Sequence, residues 1–271
     1  MTDPAFRADL YEGTARAYEQ FRPPYPAGLI ADLSARTSAD GRGRLLDLAC
    51  GTGQVAFALS ADFAEIWAVD SEPGMIDVAR DKAARAGEAA RFRFFTGAAE
   101  QLVAPAGHFD LVTIGNAFHR LPRLIVARTV LRWLRPGGFL ALVWGGSPWF
   151  GDQPWQRALT ATMEQWQRRP GADERVPAGY AEARDARPDA VILAEAGFEI
   201  VGRYAFTVTR DWTLADIAGN IASTSVLSEH ALGERAAEFD ADLRRELSAV
   251  QPDGRFRQET ELAYDLARRP A

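Results

Sequence analysis

The sequence predicts an α/β fold with a doubly wound, mostly parallel sheet of seven strands that is covered by helices on both faces. Three observations predict it. From residue 44 onward short apolar runs alternate with helical stretches, the apolar runs have the length of strands, and the turns between them carry glycine or proline. Right-handed crossovers between parallel strands then place helices on both sides of the sheet.

The first half of the chain contains a helical segment and the core of the sheet. Residues 1–40 form the predicted N-terminal helical segment, in which a proline-rich break at 22–26 precedes a helix over 27–36. Pro26 opens that helix, because proline is favoured at helix starts. Residues 41–146 form the predicted core. Its expected strands are 45–49, 65–70, 92–96, 109–115 and 139–144, and its expected helices are 54–60, 73–86 and 123–134.

Beyond Trp144 the alternation stops. Residues 147–190 are predicted to be a cap insertion rich in glycine, proline and arginine, and residues 191–271 to hold the last strands with a helical insertion at 213–250. The expected elements are a helix at 190–196, strands at 198–207 and 257–266, and helices at 213–225 and 234–250. We expect the last strand to lie antiparallel beside 198–207, and the helical insertion to cover the mouth of the site.

The composition of the 271 residues excludes several classes of protein. Hydrophobic residues make up 47% and charged residues 25%, which is typical of a globular protein, and no apolar run approaches the roughly 20 residues of a membrane helix. The first residues lack a secretory pattern, so we expect a cytoplasmic protein that binds no membrane. The net charge of −6 argues against a nucleic-acid partner. We therefore expect a small-molecule substrate, and either a monomer or a homodimer.

Cysteine and histidine are scarce. Cys50 is the single cysteine and the chain has three histidines, so the sequence argues against a disulfide and against a metal site. Cys50 lies among glycines without a neighbouring base, and we interpret it as a packing residue rather than a nucleophile.

The sharpest local pattern is the turn after the first strand. Gly51 and Gly53 lie where that strand passes into its helix, so the backbone can approach a ligand closely there. Residues 51–56 also fit the dinucleotide fingerprint with alanine in the last position, which leaves a nicotinamide cofactor open.

Asp47 favours a different ligand. A carboxylate inside an apolar strand costs several kcal/mol unless it meets a partner. S-adenosylmethionine (SAM) carries an ammonium and a sulfonium that supply one, whereas a pyrophosphate would be repelled. The alternative is that backbone N–H groups of the turn alone satisfy Asp47.

Asp70 ends the second strand about twenty residues after the glycines, where a carboxylate is able to accept both ribose hydroxyls. It is otherwise an N-cap for the next helix, although Ser71 or Glu72 is able to take that role. Met75 follows, where it either lies against adenine or belongs to the core.

These motifs resemble those of the class I SAM-dependent methyltransferases. The resemblance rests on residues 47–53, on 69–70 with 73–75, and on 134–138. Residues 17–26 and 116–119 are similar to the trans-aconitate-methyltransferase-like group of that family. The resemblance implies the Rossmann-like methyltransferase fold, with an N-terminal segment that closes over the cofactor and a helical insertion before the last strand.

The resemblance also implies roles for single residues. Those assigned to the cofactor are Arg22, Asp47, Ala49, Gly51, Gly53, Asp70, Ser71, Met75, Ala99, Glu100 and Asn116. Asp47 and the glycines hold the methionine end, Asp70 the ribose and Met75 the adenine. Arg22 either clamps the methionine carboxylate or is a surface guanidinium. The chain departs from the family at Ala98, where aspartate is frequent, so Ala99 and Glu100 must compensate.

His119 is the candidate catalytic residue. It follows the fourth strand at the carboxyl edge of the sheet, where a histidine is able to take a proton from an acceptor. The alternative is a helix cap or packing residue. Tyr11, Tyr18, Trp144 and Trp149 are the candidate substrate contacts, and the tryptophans suit a flat, aromatic or apolar acceptor. Packing in the helical segment and the cap is the alternative for these four.

The sequence thus favours a SAM-dependent methyltransferase that acts at O, N or C of a small molecule, with secondary metabolism as a candidate setting. A protein that binds SAM without methyl transfer, or for a different reaction, is the first alternative. A nicotinamide-dependent oxidoreductase is the second, and Asp47 argues against it. A nucleic-acid methyltransferase is disfavoured by the negative charge and by residues 116–119, which lack an Asn/Asp-Pro-Pro-Tyr motif.

Overall fold

The computed structural model describes residues 6–7, 9–169 and 175–271. Within them the strands are β1 (Gly43–Leu48), β2 (Phe63–Asp70), β3 (Phe92–Thr96), β4 (Phe109–Gly115), β5 (Leu134–Trp144), β6 (Glu199–Thr213) and β7 (Arg255–Arg268). They form one sheet in the order β3-β2-β1-β4-β5-β7-β6. Every pair is parallel except the two that β7 makes. The predicted doubly wound, mostly parallel sheet of seven strands is confirmed.

The helices of the described residues flank this sheet or form the cap. They are α1 (Ala15–Phe21), α2 (Ala27–Arg36), α3 (Gln54–Ala58), α4 (Pro73–Ala86), α5 (Arg123–Trp133), α6 (Pro154–Gln167), α7 (Tyr180–Ala186), α8 (Asp189–Ala196), α9 (Leu214–Ala222), α10 (Glu229–Leu232) and α11 (Ala236–Val250). In this part of the chain, no helix is both long enough and apolar enough to cross a bilayer.

Strand β1 shows why both faces of the sheet are covered. Leu45, Leu46 and Leu48 are all fully buried, and successive side chains of a strand point to opposite faces. Leu46 and Leu48 pack in a cluster with α5 and α8, whereas Leu45 packs in a second cluster with α2, α3 and α4. An apolar core therefore lies on each side of the sheet.

The last two strands form a long antiparallel hairpin. Residues 199–213 of β6 pair with residues 255–268 of β7, and β7 also pairs with β5. The predicted antiparallel position of the last strand is confirmed, but β6 runs six residues beyond the predicted end at 207. Residues 208–213 pair with residues 255–260 of β7, and this pairing keeps them extended.

The cap insertion and the insertion between β6 and β7 share an apolar core, and from here on the two together are called the cap. Trp155, Trp166, Trp212 and Phe256 are buried in a cluster made largely by α6, α9 and α11. Trp166 is 1% exposed and its Nε1 donates to Asp242 Oδ2 at 3.2 Å. Most of the apolar surface of these helices is thus used for packing within the cap.

The N-terminal helix α1 joins the cap to the core. The Phe21 ring lies so close to Gly219 of α9 that a Cβ there would approach it to 2.3 Å. Asn220 Nδ2 donates to the Phe21 carbonyl oxygen at 3.2 Å. On the other side Lys82 of α4 forms a 3.0 Å ion pair with Glu19. Helix α1 is therefore held from both sides.

Candidate cofactor and active site

A cavity of about 460 Å³ opens at the carboxyl ends of the parallel strands. Its wall comes from the turns that follow β1 to β4, and the N-terminal segment covers it. The wall residues are Ala49, Gly51, Asp70, Ser71, Glu72, Met75, Gly97, Ala98, Ala99, Glu100, Gly115, Asn116, Ala117, Arg120, Leu121 and Pro122. The residues that we call the roof are Phe6, Arg7, Leu10, Tyr11 and Tyr18. Ligands of doubly wound sheets bind at this edge.

The turn after β1 is shaped to expose its backbone. Ala49 and Gly51 take left-handed conformations, with φ of 51° and 56°. A Cβ on Gly51 would also approach the Tyr18 ring to 3.3 Å, so this position favours glycine on two grounds. The Gly51 N–H donates to Asp70 Oδ2 at 2.8 Å and thereby joins the turn to the end of β2.

Asp70 presents a carboxylate to the cavity. Its Oδ1 accepts the Glu72 N–H at 2.9 Å, so each oxygen has one backbone donor and keeps capacity for a second. Burial raises the pKa of Asp70, while the N–H groups of Glu72 and Gly51 act to lower it. The N-cap of α4 is Glu72, whose side chain accepts the Gly74 N–H at 3.3 Å. Asp70 is therefore left available for a ligand.

Five other predicted cofactor residues lie in the wall. Ser71 and Met75 follow Asp70, and Met75 is buried at 2% exposure. Ala99 and Glu100 lie in the turn after β3, beside Ala98. Asn116 has a left-handed φ of 49°, and its Oδ1 accepts the Gly145 N–H at 2.9 Å. The structure thus brings these residues together around one space.

Asp47 lies beneath the wall rather than in it. Its Oδ1 accepts the Thr113 hydroxyl at 2.7 Å and its Oδ2 accepts the Ala56 N–H at 3.2 Å. Burial raises the pKa of Asp47 to about 7, although both hydrogen bonds act to lower it. Ala56 lies in the first turn of α3, whose N-cap Gly53 offers no side chain. Asp47 therefore accepts a backbone N–H at the start of α3 and a side-chain hydroxyl from β4. This is close to the alternative interpretation, in which backbone N–H groups of the turn alone satisfy Asp47.

Gly53 and Arg22 also lie away from the cavity. Gly53 has a φ of 81°, and a Cβ there would meet the Phe57 ring at 2.8 Å, so packing explains this glycine. Arg22 Nε donates to Ser223 Oγ at 2.8 Å and its Nη2 to the Ser223 carbonyl oxygen at 3.2 Å. Arg22 therefore joins the end of α1 to the end of α9, and it is not among the residues that line the cavity.

His119 lies behind the wall. Its ring is 5.9 Å from the Trp144 ring and 6.1 Å from the Tyr180 ring. Nε2 accepts the Arg120 Nε–H at 3.2 Å, and Nδ1 is buried without a hydrogen-bond partner among the described residues. Burial, helped by nearby guanidinium groups, lowers the pKa of His119 to about 3. A base this weak is poorly matched to proton abstraction near neutral pH, so the geometry gives no support to that role.

The tryptophans named as substrate contacts pack elsewhere. Trp144 Nε1 donates to Asp265 Oδ2 at 2.6 Å, and Trp149 packs against the apolar core of the cap. Among the described residues, neither insertion of the cap contributes a residue to the cavity wall or roof. Tyr11 and Tyr18 do lie in the roof, 6.2 Å apart and edge to face. Burial raises the pKa of Tyr18 to about 12, so it stays protonated at neutral pH.

Sequence reasoning missed Arg120 and three residues of the roof. Arg120 follows His119 directly, and the position rule that singled out His119 applies to it equally. Which of two neighbours faces a cavity depends on the short 3₁₀ turn at Phe118–Arg120, which has no periodic signature. Phe6, Arg7 and Leu10 precede α1 and carry no local motif.

The match to a known family falls within the predicted core at 41–146. Residues 45–138 match the family model described as a methyltransferase domain. The chain is 31% identical over 144 residues to the ubiquinone/menaquinone biosynthesis C-methyltransferase UbiE of Azotobacter vinelandii, which covers 50% of this chain and 57% of that protein. It is 36% identical over 128 residues to an uncharacterized methyltransferase of Mycobacterium bovis, with 47% and 49% covered. The chain thus spans about half the length of the curated relatives it matches.

Solved structures share the fold over most of this chain. The YcgJ protein of Bacillus subtilis aligns with a TM-score of 0.54 and 17% identity, covering 91% of this chain and 100% of that one. The phosphoethanolamine N-methyltransferase 2 of Haemonchus contortus gives 0.52 and 15%, covering 95% and 57%. The 4+2 cyclase SpnF gives 0.52 and 21%, covering 93% and 84%. The chain has the Rossmann-like fold of these structures, and its match to the methyltransferase-domain model lies in residues 45–138.

Proposed function

We propose that this chain is a SAM-dependent methyltransferase of a small molecule. The observation that carries the proposal is the Asp70 carboxylate, which lies in the cavity wall beside the left-handed turn at Gly51 with capacity for two further donors. The matched methyltransferase domain and the methyltransferases among the relatives support the same activity.

The charges of the wall fit SAM better than a dinucleotide. Asp70, Glu72 and Glu100 bring three carboxylates to the cavity, against Arg7 and Arg120. Carboxylates attract the ammonium and sulfonium of SAM and repel a pyrophosphate. Asp47 does not line the cavity, so this set replaces it as the electrostatic argument against a nicotinamide cofactor.

Each part of SAM has candidate partners in this wall. Asp70 would accept the two ribose hydroxyls, and Met75 would lie against the adenine with Ala99 and Glu100 beside it. The exposed backbone at Ala49 and Gly51, with Asn116 opposite, would hold the methionine end. When bound, SAM supplies a methyl group on a cationic sulfur, which is open to attack by a nucleophile.

The chain's own contribution is positioning and the exclusion of water. The roof residues Leu10, Tyr11 and Tyr18 close the cavity above the wall. Holding two reactants in line is worth on the order of 7–11 kcal/mol of the barrier. With His119 held neutral behind the wall, the geometry supports methyl transfer by orientation rather than by a histidine base. The narrower resemblance to the trans-aconitate-methyltransferase-like group stays a prediction.

Asp70→Ala tests the proposal. We expect the variant to bind S-adenosylhomocysteine (SAH) more weakly by about 1.5–3 kcal/mol, the scale for hydrogen bonds to a charged group. Calorimetric titration of SAH and of NAD⁺ gives the measurement. Asp77→Ala is the matched control, since Asp77 is exposed on α4 and pairs with Arg80.

Three results would count against it. SAH affinity equal in Asp70→Ala and Asp77→Ala would remove Asp70 from the cofactor site. Binding of NAD⁺ in place of SAH would favour the oxidoreductase. Tight SAM binding with no labelled methyl group in any product would favour a SAM-binding protein with another role.

A further inference from the structure

The cavity holds a cation that the cofactor site described above does not use. Arg120 lies in the wall beneath the roof, at the end of the 3₁₀ turn that follows β4. In the described part of the chain its guanidinium contacts Tyr11, His119 and Phe6, and none of these contacts is with a carboxylate. A half-buried charge without a counter-charge is unfavourable unless a ligand supplies one.

The guanidinium is fixed in place by its neighbours. Its Nε donates to His119 Nε2 at 3.2 Å and its Nη1 donates to the Tyr11 hydroxyl. The ring centroids of Tyr11 and Phe6 lie 5.0 Å and 5.9 Å from it. Phe118, at the start of the same turn, is fully buried and anchors the backbone. Since a guanidinium has five N–H groups, three donors remain.

The other charged groups of the cavity are engaged or lie elsewhere. Arg7 forms a bidentate pair with Asp9, at 2.9 and 2.6 Å. Asp70 and Glu72 are held at the start of α4, on the ribose side, and Glu100 is exposed in the turn after β3. None of these three carboxylates forms an ion pair with Arg120 in the described structure. The fixed guanidinium is therefore suited to a second ligand beside the cofactor.

We propose that Arg120 binds an anionic group of the methyl acceptor, so that the substrate is a small acid. The inference rests on the proposed function. A planar carboxylate meets the guanidinium fork with two parallel hydrogen bonds, and the rings of Phe6 and Tyr11 flank the same space. The carboxylate of SAM itself is the other source of such a group, and the experiment separates the two.

The experiment measures acid preference in the full-length chain saturated with SAH. The probes are matched aromatic pairs: benzoate with benzamide, trans-cinnamate with trans-cinnamamide, and 4-hydroxybenzoate with 4-hydroxybenzamide. We expect the wild type to bind at least one acid about 10- to 100-fold more tightly than its amide. Arg120→Gln should abolish this preference, and Arg120→Lys, which keeps the charge but not the fork, should retain part of it.

Arg184→Gln is the matched control. Arg184 also lies over an aromatic ring, 5.5 Å from Trp144, but it is exposed and outside the cavity, so the acid preference should persist. SAH affinity should stay within about twofold in all variants. Equal binding of acid and amide by the wild type, binding of no acid, or a preference that survives Arg120→Gln would overturn the proposal.

Two further outcomes separate this inference from the proposed function. A large loss of SAH affinity in Arg120→Gln would assign the guanidinium to the SAM carboxylate and refute an acceptor role. A wild type that binds no SAH would refute the proposed function. The acid-amide comparison, repeated without SAH, would then still decide whether Arg120 binds an anion.

Discussion

At the scale of single residues, Asp47 has the most informative environment. It is a fully buried carboxyl group that accepts one hydroxyl and one backbone N–H, and no cation offsets its burial in the described structure. Its pKa in the fold is about 7, well above the usual value of 3.8. The protonated form is therefore favoured on folding, and the native state holds a proton that the unfolded chain releases.

This predicts how stability depends on pH. Because the folded pKa lies above the unfolded one, the contribution of Asp47 is fully present below about pH 4 and is lost as pH rises through about 7. An Asp47→Asn variant keeps a polar group that is able to reach Thr113 and Ala56 and does not titrate. Between pH 5 and pH 8 the wild type should lose about 2–3 kcal/mol of unfolding free energy relative to this variant.

Urea denaturation of both proteins at the two pH values gives the measurement. All other ionisable groups are common to both, so their contributions cancel in the difference. A difference that stays constant with pH would mean that Asp47 is ionised throughout and that a cation reaches it.

The residue scale also shows where sequence reasoning stops. The Asp47 carboxyl group in β1 needs partners, and it has them in the Thr113 hydroxyl and the Ala56 N–H. Sequence alternation places Asp47 on one face of the strand, but it does not say whether Ala56 of α3 or a ligand lies nearer. Asp70 differs because it ends its strand, and Glu72 takes the cap, so its side chain is left at the open edge.

At the scale of elements, the packing of α1 against α9 positions the roof of the cavity. The ring of Phe21 lies in the space that a side chain at Gly219 would occupy, and Arg22 bonds to Ser223 one turn later. Tyr18, in the middle of α1, covers Gly51. Moving α1 would therefore move Tyr18 away from the cavity.

Gly219→Ala should displace Phe21 and loosen the roof. We expect a loss of about 1–3 kcal/mol in unfolding free energy, the usual cost of overpacking, together with weaker SAH binding. Gly28→Ala is the control, because it is also a helical glycine and a Cβ there meets nothing within 4 Å. That variant should be neutral or more stable by up to about 1 kcal/mol.

Thermal unfolding and SAH titration of the two variants give the comparison. If Gly219→Ala matched Gly28→Ala in both, the close packing of α1 on α9 would be unimportant to the cavity.

The sequence predicted best the bounds of those helices and strands whose apolar residues recur with a clear period. Helix α4 spans the predicted 73–86, and β4 spans the predicted 109–115. The region after Trp144 was harder, because α7 has no buried residue and hence no apolar face to detect. The extension of β6 depends on pairing with β7, which lies more than forty residues away in sequence.

At the scale of the whole molecule, the cap serves the site indirectly. From the sequence we expected the insertion between β6 and β7 to cover the mouth of the site, and Trp144 and Trp149 to contact the substrate. In the structure, Trp155 and Trp166 fill the core of the cap, and α9 carries α1, whose Tyr18 lies in the roof. Composition cannot distinguish a tryptophan that binds a ligand from one that packs a second core.

Because the wall belongs to the sheet and the roof is fastened to the cap, a ligand in the cavity should stabilise the chain as a unit. SAH at about 100 times its Kd should add about 2.7 kcal/mol of stability. For a chain of this size that corresponds to a rise in Tm of roughly 5–10 °C. Differential scanning calorimetry with SAH, and with NAD⁺ at equal concentration, gives the measurement. An equal rise with NAD⁺ would contradict the proposed cofactor.

The bond between Arg22 and Ser223 joins positions that are 201 residues apart. On the ribosome, α1 emerges long before α9 has been synthesised. Helix α1 therefore lacks its packing partner until most of the polypeptide has been translated. A truncated product that stops before α9 would leave Gly51 without the ring of Tyr18 held over it. The cover over the turn after β1 thus depends on a contact that forms only once α9 has been synthesised.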